Sequence, residues 1–93
     1  MLLLVTIDLS QADLAAFERY EAKALDLLPR YGGRLEMRVR TVDGQSETHL
    51  LSFPDEAAFE AFRSAPERLA LAAEWEACGA RSVVQPVARI GAP

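Results

Sequence analysis

The side chains best suited to chemistry fall within one short stretch of the sequence. His49 is the only histidine, and histidine is the residue type that titrates nearest neutral pH. Arg38 and Arg40, with Arg34 nearby, form the one locally basic stretch, and an arginine fork is suited to the carboxylate of a small organic molecule. Glu36 could act as a general base if it were desolvated. His49 and Glu36 are therefore candidate catalytic groups, and Arg38, Arg40 and His49 are candidate ligand-binding groups.

Each candidate has a structural alternative. His49 could be a hydrogen-bonded histidine at a dimer interface, and the two arginines could pair with Glu36 and Glu47 across strands or across a dimer. Tyr20 and Tyr31 are further candidate ligand-binding residues, because their hydroxyls could reach the rim of a pocket from an amphipathic helix. Core packing is the commoner role of such tyrosines.

The sequence offers little to a metal ion. No second ligand stands at a suitable spacing from His49, and the single cysteine, Cys78, has no base beside it in the sequence. We expect no metal, no haem and no other cofactor. A single cysteine also makes no intrachain disulfide, which is typical of a reducing, cytoplasmic location.

Charge and hydropathy exclude several classes of partner. Fourteen acidic residues against ten basic residues give a net charge of −4, so no overall field attracts nucleic acid or an anionic membrane. The apolar run at residues 2–7 is interrupted by Asp8, far short of the roughly 20 residues that a membrane span needs. It also lacks the basic flank of a signal peptide. We expect no nucleic-acid partner and no membrane partner.

The elements that must position the candidate residues begin with a strand at residues 2–9, a run of aliphatic and β-branched side chains. Ser10 offers a helix N-cap, and Asp13 places a negative charge in the first turn. Apolar residues then recur at intervals of three and four over residues 17–31, which predicts an amphipathic helix. The glycine pair at residues 32–33 ends it.

A hairpin follows the first helix. Residues 34–42 alternate polar and apolar side chains, Asp43-Gly44 is a strong turn signal, and residues 45–53 return as the partner strand. The opposite charges of Arg40 and Glu47 favour the register of a two-residue turn. That register predicts the pairs Arg40 with Glu47, Arg38 with His49, Val39 with Thr48, Met37 with Leu50 and Glu36 with Leu51.

The last third of the chain predicts a divided helix and an edge strand. Pro54-Asp55-Glu56 opens the helix, and residues 64–67, Ser-Ala-Pro-Glu, indicate a break within it before Gly79 ends the second segment. Residues 81–90 read as the last strand. Pro86 places this strand at a sheet edge or at a bulge, because proline donates no ladder hydrogen bond.

The order β-α-β-β-α-β predicts an α+β, ferredoxin-like fold for residues 1–93 as a single domain, with a four-stranded antiparallel sheet and both helices on one face. We expect Leu35, Met37, Val39 and Leu50 to face the helices. The other face would then carry His49, the arginines and some apolar side chains. Two such open faces would pair into a homodimer, a dimeric α+β barrel with a shared cavity.

Three stretches of the sequence, Tyr31–Arg38, Ser52–Ala58 and Arg63–Glu67, resemble a bacterial family of unknown function in the dimeric α+β-barrel superfamily. Its members have a Tyr-Gly-Gly turn into strand two, a Phe-Pro step into helix two and a Ser-Pro break within that helix. The resemblance covers roughly residues 15–75 and implies the barrel fold. The chain departs from the family pattern at Ser52, where an acid is usual, and at Arg68, where an aromatic is usual.

Three functions follow as hypotheses. The first is a homodimer that binds a small polar or anionic organic molecule in a cavity at the sheet face. The second is a cofactor-independent enzyme, similar to the monooxygenases or isomerases of the superfamily, with His49 or Glu36 as the base. The third is a purely structural or regulatory dimerisation module. Fold resemblance alone does not separate them.

Overall fold

Four strands and a layer of short helices make up the computed structural model, which describes residues 1–91. A single 3₁₀ turn, Leu28–Tyr31, lies between the first helix and the second strand. The elements, in chain order, are β1 (Leu2–Asp8), α1 (Leu14–Leu27), β2 (Arg34–Arg40), β3 (Ser46–Ser52), α2 (Glu56–Arg63), α3 (Pro66–Leu69), α4 (Ala72–Cys78) and β4 (Arg81–Val87).

The sheet has the strand order β2-β3-β1-β4, and all its neighbouring strands are antiparallel. Strand β4 is an edge strand, as Pro86 predicts, and this proline lies opposite Leu3 of β1. The helices lie on one face of the sheet. The ferredoxin-like α+β fold is therefore confirmed.

Helix α1 begins later than Ser10 indicates. Its N-cap is Asp13, whose carboxylate accepts a hydrogen bond from the amide of Ala16, so the charge expected in the first turn caps the helix instead. Pro29 tightens the end of the helix into the 3₁₀ turn, and Gly32 ends that turn with a φ of 75°. In the part of the chain that the structure describes, no helix is both long and apolar enough to cross a membrane.

The second helical region breaks where the sequence predicts. Helix α2 ends at Arg63 and α3 begins at Pro66, whose ring suits the first turn of a helix. A further break separates α3 from α4, and the sequence did not predict it because no proline or glycine lies there. Its effect is to bring Trp75 of α4 against Tyr20 of α1, with ring centroids 5.0 Å apart.

The hairpin register is confirmed at its outer end and wrong at its base. Arg40 pairs with Glu47 and Arg38 with His49, as the turn signal and the opposite charges predict. The pairing then shifts by one residue, so that Leu35 rather than Glu36 lies opposite Leu51. A β-bulge at Glu36 explains the difference, because it inserts an extra residue into one strand.

The predicted assignment of the two sheet faces is wrong for Met37, Val39 and Leu50, whereas Leu35, across the bulge and opposite Leu51, faces the helices as expected. Glu47, His49 and Leu51 of β3 are buried beneath the helices, whereas Met37 and Val39 are 43% and 50% exposed. The buried leucines of the strands decide which face is covered, because Leu51 shares the core with Leu3 of β1, its partner in the ladder. Side chains alternate along a strand, so Glu47 and His49 lie on the same covered face as Leu51. The sheet thus buries charged groups and leaves apolar ones outside.

Candidate functional site

The carboxylate of Glu47 is the centre of a buried polar cluster between the sheet and α1. Its side chain is only 1% exposed. Oε2 accepts hydrogen bonds from Arg38 Nε at 3.0 Å and from His49 Nε2 at 2.5 Å, and Oε1 accepts one from Arg40 Nε at 2.8 Å. Strand pairing explains this convergence, because Arg38 and Arg40 lie opposite His49 and Glu47 on neighbouring strands.

Helix α1 closes the cluster from above. Glu18 accepts hydrogen bonds from both arginines: its Oε2 lies 3.4 Å from a terminal nitrogen of Arg38, and its Oε1 contacts Arg40. Two carboxylates therefore face two guanidinium groups, so the charges balance. We call Glu18, Arg38, Arg40, Glu47 and His49 together the Glu47 cluster.

The pKa of Glu47 reports this balance. Burial alone would raise it, but the hydrogen bonds from His49, Arg40 and Arg38 outweigh burial and lower the pKa below its ordinary value. The carboxylate is thus ionised at neutral pH. A buried carboxylate is stable in this form only because every one of these partners is in place.

His49 is held in one orientation by Glu47. Burial lowers the pKa of His49, and the carboxylate opposes this only in part. In the neutral imidazole Nε2–H donates to Glu47, so Nδ1 is left as an acceptor. That nitrogen lies 3.8 Å from Oε2 of Glu21, which is beyond hydrogen-bond distance.

Glu21 is a buried carboxyl group with no such partners. It is 6% exposed, and its side chain forms no hydrogen bond with any of residues 1–91. Burial, together with the negative charges of Glu47 and Glu18 and against the opposing charges of Arg38 and Arg68, raises the pKa of Glu21 to about 7. A carboxyl group with this pKa can both give and take a proton near neutral pH.

A cavity of about 550 Å³ lies beside Glu21 and His49, between the helices and the sheet. We call it the helix–sheet cavity. Its polar lining includes Tyr20, Glu21, His49, Arg63 and Arg68. Its walls are mostly apolar and include Val5, Leu25, Phe62, Ala72, Trp75 and Val84.

Three groups in this region could coordinate a metal ion. Glu21, Glu47 and His49 each offer a ligand atom, and the three atoms lie within 4.8 Å of one another. Sequence spacing gave no sign of this, because the residues come from α1 and β3. However, Arg38 and Arg40 already occupy the Glu47 carboxylate, and a cation there would face two positive charges. The contacts favour an ion-pair cluster over a metal centre.

Four of the six residues predicted from the sequence lie at or beside the helix–sheet cavity, and two do not. Tyr20 and His49 line the cavity, and Arg38 and Arg40 lie beside it, bound to carboxylates. Tyr31 and Glu36 lie elsewhere. The hydroxyl of Tyr31 donates to Glu67 at 3.2 Å, and Glu36 lies at the bulge, with Arg34 Nε 3.9 Å from its carboxylate. The candidate residues that come together therefore lie under the helices, and not at the open sheet face where they were expected.

Sequence reasoning missed Glu21, and a signal for it existed. The apolar stripe of α1 includes Phe17, Tyr20 and Ala24, and Glu21 lies within the same stripe, four residues after Phe17 and three before Ala24. A carboxyl group in an apolar stripe is a candidate for a perturbed pKa. Arg68 stood out only as a departure from the pattern of the resembled family, and no periodicity in the sequence placed it at a cavity.

Glu47→Gln is expected to lower the free energy of unfolding by about 3 kcal/mol, because the neutral amide leaves Arg38 and Arg40 without their shared counterion. Urea denaturation measures the loss. Glu74→Gln is the matched control: Glu74 forms an exposed ion pair with Lys23 at 2.7 Å, and its loss should cost less than about 1 kcal/mol. Similar losses in the two variants would contradict a structural role for the Glu47 cluster.

Comparison with known proteins supports the fold. SnoaB, a cofactor-independent oxygenase from Streptomyces nogalater, superposes with a TM-score of 0.74 at 18% identity, over 96% of this chain and 93% of that one. A dimeric ferredoxin-like protein of unknown function from Jannaschia sp. CCS1 gives a TM-score of 0.59 at 21% identity, over 94% of this chain and 100% of that one. At these identities the likeness establishes the fold alone.

Two further comparisons concern sequence. No curated protein sequence matches this chain significantly. The profile of the family described as Domain of unknown function (DUF1330) matches residues 4–85, which is most of the chain. The resemblance seen in the turn motifs is therefore confirmed at the level of the family. This chain belongs to the DUF1330 family.

Proposed function

We propose that this protein binds a small organic molecule in the helix–sheet cavity, with an apolar body between the helices and the sheet and a polar group near Glu21. The observation that carries the proposal is a pair of polar groups that open into the cavity and have no protein hydrogen-bond partner. Neither the carboxyl of Glu21 nor the hydroxyl of Tyr20 forms a side-chain hydrogen bond within residues 1–91, and both line the cavity.

The accessibility of these polar groups from the cavity supports a ligand at this place. Among residues 1–91 no fully buried side-chain polar atom lacks a hydrogen-bond partner, so the unpartnered groups of Glu21 and Tyr20 are open to the cavity, where a ligand can hydrogen-bond to them in place of water. The cavity volume of about 550 Å³ lies within the range of small-molecule sites, roughly 300–1,000 Å³. Apolar walls with a few polar groups are also typical of such sites.

A second candidate function, a cofactor-independent enzyme, is favoured by the pKa of Glu21 of about 7. The Glu21 carboxylate would take a proton from an activated C–H or O–H bond, and the electron pair of that bond would stay on the ligand as a delocalised anion. Neutral His49 would accept a hydrogen bond at Nδ1 and so orient the ligand. The likeness of the fold to SnoaB, an oxygenase of this type, is compatible with such chemistry. In this proposal Glu21 takes the place first given to Glu36.

We also propose that the protein is a homodimer through its open sheet face, with a second copy of the chain as the partner. Met37, Val39 and Val83 of this face are 43%, 50% and 59% exposed, and Leu4 lies among them on the central strand. The interior of the face carries no charge, so two copies can meet without burying unpaired ions. A dimeric protein of similar fold supports this arrangement.

Filling the cavity should abolish binding. Ala72 and Ala73 are both exposed residues of α4, but only Ala72 lines the cavity, so Ala72→Trp adds an indole at the cavity and Ala73→Trp adds one outside it. A fragment screen by ligand-observed NMR is expected to find apolar molecules that bind the wild type and Ala73→Trp but not Ala72→Trp. If the hits bind Ala72→Trp as well as they bind the wild type, the cavity is not their site.

Glu21→Gln tests the titration of the buried carboxyl group. Because the pKa of Glu21 is raised from 4.5 to about 7 in the fold, the folded state holds this proton more tightly than the unfolded state, and stability falls as pH rises between these values. Glutamine removes this dependence. The stability of the variant relative to the wild type is therefore expected to grow by about 1–3 kcal/mol from pH 4.5 to about pH 7.5.

Thermal or urea denaturation across this pH range gives the measurement. Both proteins retain His49 and Glu47, so the titration of those groups largely cancels in the difference. A stability difference that does not change with pH would show that Glu21 titrates as an exposed carboxyl group does, and the enzyme proposal would lose its base.

The dimer is tested by a matched pair of lysine substitutions. Val39→Lys places a charge on the open sheet face, whereas Val42→Lys places the same charge in the fully exposed turn. Sedimentation at about 10 μM should find a dimer for the wild type and Val42→Lys, and at least about tenfold weaker association for Val39→Lys. A wild-type monomer at that concentration would rule the dimer out.

A further inference from the structure

We propose that Arg68 selects ligands that carry a carboxylate, so that the occupant of the helix–sheet cavity is an organic acid with an apolar body. This inference rests on the proposed binding function and adds the chemical class of the ligand.

Arg68 is a cavity-lining cation without a protein counterion. Its guanidinium lies 5.1 Å from the ring centroid of Phe62, and its side chain forms no hydrogen bond or ion pair among the residues that the structure describes. Arg63, which also lines the cavity, has a similar place over Phe59 at 5.4 Å but is bound to Glu60 at 3.1 Å. The two arginines therefore differ in whether a carboxylate already neutralises them.

The charge of Arg68 acts on the interior of the cavity. Burial raises the pKa of Tyr20 and that of Glu21, and the positive charge of Arg68 opposes both rises in part. These two residues line the cavity from α1, whereas Arg68 lies on α3. The field of the guanidinium thus reaches the place where the ligand would lie.

The charges that line the cavity leave a positive excess. Burial lowers the pKa of His49, so the neutral imidazole is favoured. The Glu21 carboxyl group, whose pKa burial raises to about 7, is partly protonated near neutral pH. Arg63 has its own carboxylate, which leaves Arg68 as the cation to be neutralised. A carboxylate matches its planar donor fork, and the apolar part of the ligand would then lie against side chains such as Leu25 and Trp75.

The test compares two probes with the same naphthalene body, of which 2-naphthoate carries a negative charge and 2-naphthalenemethanol is neutral. Binding of each is measured by NMR titration to the full chain, in the wild type, in Arg68→Gln and in Arg63→Gln. We expect Arg68→Gln to weaken naphthoate binding at least about tenfold and to change naphthalenemethanol binding by less than about twofold. Arg63→Gln, the matched control, should change either affinity by less than about threefold.

The outcomes separate this inference from the proposed function. Equal weakening of both probes by Arg68→Gln, or a larger effect of Arg63→Gln on naphthoate, overturns the role of Arg68 but leaves the cavity as a binding site. If neither probe binds the wild type, or if both bind Ala72→Trp unchanged, the binding function itself fails, and the inference fails with it. Melting temperatures of the variants verify that each one is folded.

Discussion

The buried carboxylate of Glu47 is the interaction on which the site depends. It is ionised beneath α1 because Arg38, Arg40 and His49 donate hydrogen bonds to it, and Glu18 supplies the second negative charge that two arginines require. Such a cluster contributes little net stability compared with apolar packing, but it costs much if any member is lost. Its value here is geometric, because it fixes the orientation of the imidazole of His49.

The fixed imidazole and the unpaired Glu21 give the helix–sheet cavity its polar end. Glu47 takes the Nε2 side of His49, so Nδ1 is left as an acceptor 3.8 Å from the Glu21 carboxyl group. The partners of Glu47 keep its carboxylate ionised, whereas burial raises the pKa of the neighbouring Glu21 to about 7. Two like groups with separated pKa values are a pattern from which acid–base roles arise. Arg68 adds a positive charge to the same cavity.

The sequence predicted the order of elements, the register at the hairpin tip and the break before Pro66, because turn residues and opposite charges act locally. It did not predict which face of the sheet the helices cover. Charged residues on a strand normally face water, and this rule placed His49 outside. The rule fails here because Glu18 and Glu47 neutralise the arginines, and because Leu51 and its ladder partner Leu3 need the same interior.

With these charges inside, the middle of the open face is uncharged, and the proposed dimer would give a small chain its second buried surface there. The cavity and the proposed dimer interface thus lie on opposite faces of one sheet. The most direct test of this arrangement is to record nuclear Overhauser effects between 2-naphthoate and protein side chains. The account predicts contacts with Leu25 and Trp75, between the helices and the sheet. Contacts with Leu4 and Met37 on the open face, and none with Trp75, would contradict it.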